Sequence, residues 1–218
     1  GDAAIPRNES AATPLALLVF TQDYFPGGRD ARIVGYSFIN SVPRIADGQI
    51  IVDSNDAESV RLVLDGLHIS NSTTAPIYIK NAEKAVIVLM ENSENEVTDG
   101  KSYVFDNAGD DEPNAAIFSK ADLIIQGGGS LTVTGNYNDG IASKDGLTIV
   151  GGTIAVKSAD DGIRGKDFLV VKDGSITVNA GGDGLKSDNS EDAILGYVSI
   201  ENGALKVSSG GAAIAAET

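Results

Sequence analysis

The sequence predicts an all-β chain wound as a single-stranded, right-handed parallel β-helix, with about 22 residues per coil and three short strands in each. Three observations predict it. The triplet Asp-Gly-Ile begins at Asp139 and again at Asp161, and Asp-Gly-Leu begins at Asp183, so one corner returns every 22 residues. Apolar residues recur at fixed places in that period: Ile117, Ile141, Ile163, Leu185 and Ile214 form one column, and Leu131, Ile154, Ile176 and Leu205 another. The 26 glycines fall at corners between runs rich in Val, Ile and Thr, which favour strands. A sandwich or barrel would alternate polar and apolar residues, but would not return the same triplet to the same corner.

The clearest coil runs from Asn138 to Lys157. Asn138-Asp139-Gly140 is read as a turn, Ile141-Ala142-Ser143 as a strand and Lys144-Asp145-Gly146 as a second turn. Leu147–Val150 is the next strand, Gly151-Gly152 the third turn and Thr153–Lys157 the last strand. Degenerate copies begin at Ala75, Ala115 and Ala212, the last after an insertion around Asp188–Ile194. Stacked rungs of a sheet lie about 4.8 Å apart, so like residues should form ladders. Residues 1–45 do not repeat and are read as an N-terminal cap segment, with Ala11–Phe20 covering an open end that would otherwise be a sticky edge. Residues 46–218 are the β-helix domain, and Lys101–Glu112 is a loop inserted between two coils. Gly127-Gly128-Gly129 has no helix after it and reads as a coil corner, not a phosphate loop.

Composition narrows the functions. A net charge of −15 argues against nucleic acid as a partner, since phosphate contact needs a basic surface. There is no cysteine, and the single histidine, His68, leaves no multi-His zinc site and no convincing Ser-His-Asp triad. The longest clean apolar run, Leu15–Phe20, is far too short to cross a bilayer. The chain opens Gly-Asp-Ala-Ala with no visible signal peptide, and a processed secreted protein or a trimmed piece of a longer one would look the same.

Two features carry chemistry. If the Ile column points inward, Tyr78, Phe118, Ala142, Arg164 and Lys186 form one outward column and Lys80, Lys120, Lys144, Lys166 and Asp188 a second. Six of the 16 basic residues then share one strip of an acidic protein, with two aromatics at one end. The strip is either a solvated ladder guarding a sheet face or a face for an anionic or planar ligand. In the second case Tyr78 and Phe118 stack on sugar faces, while Arg164, Lys166 and Lys186 hold carboxylates. The other feature is the Asp-Gly corner, where Asp139, Asp161 and Asp183 stack with Asn138 and Asp160 beside them. Two carboxylates about 4.8 Å apart repel by roughly 3–4 kcal/mol at an effective dielectric near 20. The lysine column starts five residues along and is too far to neutralise them; Lys144 and Lys166 are expected to pair with Asp145 and Asp167. Calcium, which takes hard oxygens, suits an unpaired corner, and hydrated Asx turns are the alternative.

Four segments carry a resemblance. Asn-Ala-Ala-Ile-Phe-Ser-Lys (114–120), Gly-Ile-Ala-Ser-Lys-Asp (140–145), Asp-Asp-Gly-Ile-Arg-Gly-Lys-Asp (160–167) and Gly-Asp-Gly-Leu-Lys-Ser-Asp-Asn (182–189) are similar to the bacterial carbohydrate-binding family of pectate-lyase-like β-helices. The resemblance runs from about Gly48 to the C-terminus. It implies an extracellular or cell-surface protein that binds calcium and plant cell-wall polysaccharide, cellulose or acidic sugars such as polygalacturonate. The expected calcium ligands are Asn138, Asp139, Asp160, Asp161, Asp183 and Asp188. The alternative is a polysaccharide lyase or glycoside hydrolase on the same fold. Asp160-Asp161 with Arg164-Gly165-Lys166 resembles pieces of polygalacturonases, but those draw the pieces from separate coils and add a histidine, and here His68 is several coils away. A binding protein is therefore the expected function.

Overall fold

A computed structural model of the chain describes residues 17–21, 44–53 and 59–217. Every regular element among them is a β-strand, and the strands form three sheets of seven. The chain visits the sheets in turn. From Asp139–Ser143 in sheet C it passes to Gly146–Ile149 in sheet A and Thr153–Ser158 in sheet B, then rises one rung to Ile163–Gly165 in sheet C. Within each sheet the coil strands pair in parallel.

Register bears out the columns read from the sequence. Ile77, Ile117, Ile141, Ile163, Leu185 and Ile214 are successive partners in sheet C. Leu131, Ile154, Ile176 and Leu205 are partners in sheet B. The inward residues of all three sheets make one continuous core, and Ile117, Leu123, Leu131, Ile141 and Leu147 are fully buried in it. Burying one such side chain stabilises by about 1.5–3 kcal/mol. The 22-residue spacing holds from Asp139 to Asp183; the coils before and after are longer because their corners carry extra residues. The Asp188–Ile194 insertion lies at the corner between Leu185–Ser187 and Tyr197–Ile200.

Two glycine ladders explain the corners. Gly127, Gly152, Gly174 and Gly203 all have positive φ where the chain leaves sheet A for sheet B, and the last three stack, each directly before its sheet B strand. A Cβ at Gly127 would sit 2.1 Å from the Leu89 carbonyl oxygen, so the tight rung-to-rung approach requires glycine there. The glycine of Asp-Gly has a different reason. A Cβ at Gly140 would meet Val156 Cγ1 at 2.3 Å, and one at Gly162 would meet Val178 Cγ1 at 2.3 Å. One detail of the sequence reading changes: Asp139 and Gly140 already belong to the strand Asp139–Ser143, paired with Ala115–Ser119, and are not in a turn.

Of the segment expected to cap the stack, Leu17–Thr21 is a strand running antiparallel to Ser59–Leu64 at the edge of sheet A. Residues 11–16, like 1–10 and 22–43, lie outside the described residues.

Candidate functional site

The outer face of sheet C and the corner leading into it hold most of the features read from the sequence. At that corner the aspartates act first as backbone caps. The Asp161 N–H donates to Asp139 Oδ1 (3.1 Å), the Asp183 N–H to Asp161 Oδ1 (2.8 Å) and the Ala212 N–H to Asp183 Oδ1 (2.8 Å). Each carboxylate thus satisfies an amide of the following coil, which the parallel ladder leaves without a partner at the bend.

The second oxygen of each carboxylate faces cations. Lys186 Nζ lies 2.9 Å from Asp161 Oδ2 and 3.4 Å from Asp183 Oδ2, and Arg164 Nη1 lies 3.9 Å from Asp139 Oδ2. This corrects the expectation of an unneutralised corner. The lysine column is indeed too distant, but Arg164 and Lys186 stand three residues along, and each reaches back diagonally by one coil. Arg164 Nη2 also reaches forward to Asp188 Oδ2 at 2.6 Å. Asp188 is therefore the far anchor of Arg164 and stands apart from the corner. The strip's two strongest cations are consequently committed within the protein and are not free for a uronate.

Among the described residues, one acidic group has oxygens close enough to share a metal ion. Asp139, Asp160 and Asp161 each offer an oxygen, all within 4.8 Å of one another. Asp139 is buried, and its Oδ2 accepts no hydrogen bond. Burial, with the charge of Asp161 adding to it, pushes the Asp139 carboxyl up to about 7, and Arg164 only partly opposes this. A hard divalent cation fits this set, which is all oxygen and contains a buried acceptor lacking a donor. Asn138 lies beside the group and its carbonyl accepts the Asp160 N–H (2.9 Å); Asp183 belongs to the ladder with Lys186 and is not in the group.

Upstream, the same corner is extended by the inserted loop, which folds over sheet C. Tyr103 fastens it: its hydroxyl donates to Asp99 Oδ2 (2.7 Å) and lies 3.1 Å from the Ala115 carbonyl oxygen, and its ring stacks on Tyr137 at 4.1 Å between centroids. The Val104 N–H donates to the Thr73 carbonyl (2.8 Å). Glu112 closes the other end, 2.9 Å from Lys120 Nζ and 2.5 Å from Lys144 Nζ. Lys144 thus pairs with the loop and not with Asp145 as expected.

The loop also corrects the reading of Phe118. Its side chain does point out of the coil, in register with Tyr78 and Ala142, but it is fully buried in a small second core with Ala75, Ala115 and Ala142. It therefore supports Tyr78, whose ring lies 5.8 Å away and tilted by 59°, and cannot itself stack on a sugar. Tyr78 remains half-exposed on the floor of a cleft of about 630 Å³ between sheet C and the loop, with Lys80, Lys120, Gln49, Phe105 and Asp106 around it. Lys80 is held by Asp53 at 3.0 Å, and Lys166 makes no ion pair among the described residues. Glu112, Tyr103 and Phe105 escaped the sequence reading because the loop has no counterpart in other coils.

Burial opposes ionisation of Glu112, but its two lysine partners outweigh it and hold the carboxyl below its usual value of 4.5. The clamp's contribution is then present above about pH 4.5 and is lost as pH falls through the lower folded-state value. Amide-exchange protection within 101–112, relative to the intrinsic rate at each pH, should fall in acid, and Glu112→Gln should lower it at pH 7 as well. Equal protection of the loop in the variant and the parent at pH 7 would remove the clamp from consideration.

The carbohydrate-binding domain family model, described as "Carbohydrate-binding domain-containing protein", matches residues 42–218, and the chain belongs to that family. A relative of the same description from Acetivibrio thermocellus is 52% identical over 161 residues, 74% of this chain and 56% of the relative. The chain thus spans little more than half of that protein's length. A solved structure described as the polysaccharide lyase-like protein from C. thermocellum, gadolinium derivative, is similar with a TM-score of 0.76. It shares 38% identity, and the match covers 79% of each chain.

Proposed function

We propose that this chain is an extracellular carbohydrate-binding domain for plant cell-wall polysaccharide, with calcium bound at Asp139, Asp160 and Asp161. The cleft over sheet C carries the reading: it has an aromatic floor at Tyr78, polar walls, and a lining drawn from successive rungs at Ile51, Tyr78 and Lys120. Such concave sites with one apolar surface and converging polar groups suit a sugar chain. Cellulose and polygalacturonate are the two ligands proposed. The rim has more carboxylates than cations, Asp106, Asp110, Asp111 and Glu112 against Lys80 and Lys120, so an acidic chain would need calcium to bridge it to the protein. The calcium reading draws support from the buried, donor-less Asp139 Oδ2 within a set of three carboxylates.

Chelation tests the metal. A ligand at a hundredfold excess over its Kd stabilises the folded state by about 2.7 kcal/mol, which for a chain of this size is roughly 5–10 °C in melting temperature. Chelator should lower the melting temperature by that order and release the protein from immobilised polygalacturonate. Asp139→Asn with Asp160→Asn should abolish both responses. Retention and melting indifferent to chelator would discard calcium and leave the cleft to be tested with Tyr78→Ala on cellulose. A lyase or hydrolase is the rival reading. Arg164, a basic group beside the acidic corner, is partly buried at a cost to its charge, but Asp188 and Asp139 more than offset this and hold it protonated, so it does not readily take a proton. Release of unsaturated products or new reducing ends from polygalacturonate with calcium would establish the rival.

A further inference from the structure

Sheet A carries a second aromatic feature, away from the cleft and the acidic corner. Phe168 and Tyr197 are register partners on successive rungs, their rings 5.7 Å apart between centroids and within 17° of parallel. Both point outward, since Leu169 and Val171 on the same strand are buried. The preceding rung has Gly146 at this register position, and a Cβ there would stand 2.1 Å from Phe168 Cζ. The ring tip therefore leans across the glycine and lies along the sheet, covering space that any side chain at Gly146 would fill. Phe168 and Tyr197 keep exposed surface, and their outward neighbours Thr148, Val170 and Ser199 are uncharged. Asp145 and Asp167, adjacent at the corner just before the rings, supply carboxylates.

We infer that Phe168 and Tyr197 form a binding platform for a neutral chain of equatorially linked pyranose rings, such as a β-glucan, separate from the cleft over sheet C. The inference rests on the carbohydrate-binding reading and names a second site and its ligand class. Equatorial substitution leaves the two faces of a pyranose apolar, and apolar C–H faces settle on flat aromatic rings. Rungs repeat at about 4.8 Å, close to the length of one sugar residue, so two rings on adjacent rungs serve two successive sugars. Charge selects among sugars. Asp145 and Asp167 accept hydrogen bonds from hydroxyls but repel a uronate, and with Asp122 beside them they outnumber Lys166, the cation that acts on Asp145.

The test uses the full chain with microcrystalline cellulose and a soluble mixed-linkage β-glucan, against polygalacturonate with calcium. Phe168→Ala with Tyr197→Ala should weaken binding to the neutral glucans by about tenfold or more and leave polygalacturonate unchanged. Gly146→Ala should act in the same direction, because it displaces the Phe168 ring while both rings remain present. Phe168→Leu with Tyr197→Leu preserves apolar bulk, so loss of binding with an unchanged melting curve separates the ring faces from a folding defect. If the parent binds glucan and the ring variants bind it equally well, the platform is refuted. If the parent holds polygalacturonate but no neutral glucan, the platform again falls while the polysaccharide reading stands. If it holds neither, that reading falls and the platform with it.

Discussion

Asp161→Ala should destabilise the protein by about 1–3 kcal/mol, and Asp161→Asn by well under half of that. Asp161 is buried and accepts the Asp183 N–H at 2.8 Å, and alanine leaves that amide without an acceptor. The substitution also strips Lys186 of its nearer partner, but Lys186 is partly exposed and retains Asp183 at 3.4 Å, so this adds little. Asparagine keeps an oxygen in the same place and loses only the charge. Urea denaturation of the two variants in chelator checks the difference. Equal losses for both would mean that the charge, not the cap on the next coil, is what the corner needs. In calcium both variants should lose the metal's contribution as well, so both losses should grow while the gap between them stays the same.

Gly162→Ala should cost about 1–3 kcal/mol although it adds a single methyl group. The new Cβ would stand 2.3 Å from Val178 Cγ1 and 2.5 Å from the Gly184 carbonyl oxygen. The valine can be trimmed, but the carbonyl belongs to the next rung and is fixed by the ladder. Val178→Ala should therefore recover only part of the loss, and a double-mutant cycle should give a favourable coupling between the two sites. Gly151→Ala is the contrast, since its Cβ would meet nothing closer than the Gly127 carbonyl oxygen at 3.5 Å. Comparable destabilisation at Gly151 and Gly162 would show that backbone freedom, not the contact with Val178, selects glycine in the Asp-Gly pair.

What could be read beforehand follows from what a period encodes. The inward columns and the outward partners Tyr78, Phe118, Ala142, Arg164 and Lys186 were legible because a parallel stack converts spacing into contact. Two kinds of interaction lie outside that conversion. Contacts on the diagonal join unlike positions of neighbouring coils, as Arg164 joins Asp139 and Asp188, and a search for like residues at like places passes over them. Contacts from an insertion have no period at all. Glu112 reaches both Lys120 and Lys144 from a loop that occurs once, and the same loop buries Phe118, which its column alone would leave exposed. The Phe168–Tyr197 pair had a weak signal, an aromatic at the first outward place after the corner into sheet A, in two successive coils. Gly146 in the rung before, read as a turn residue, concealed that it makes room for a ring.

The aspartate caps have a direction, since each carboxylate serves the coil that follows it. A coil is consequently a tile with a matching acceptor on one side and donor on the other, and the natural quantum of change is the whole tile. Removing residues 139–160 would bring Asp161 against Ala115 with cap, glycine and inward isoleucine all in their proper places. Removing one residue instead would turn every following side chain in its strand to the opposite face. Such a chain can lengthen or shorten its binding faces by 22-residue steps at a cost set by one interface, while single-residue insertions are confined to corners. The extended corner at 101–112 and the one at Asp188–Ile194 are where that second kind of variation has been accommodated, and the first of them roofs the cleft over sheet C.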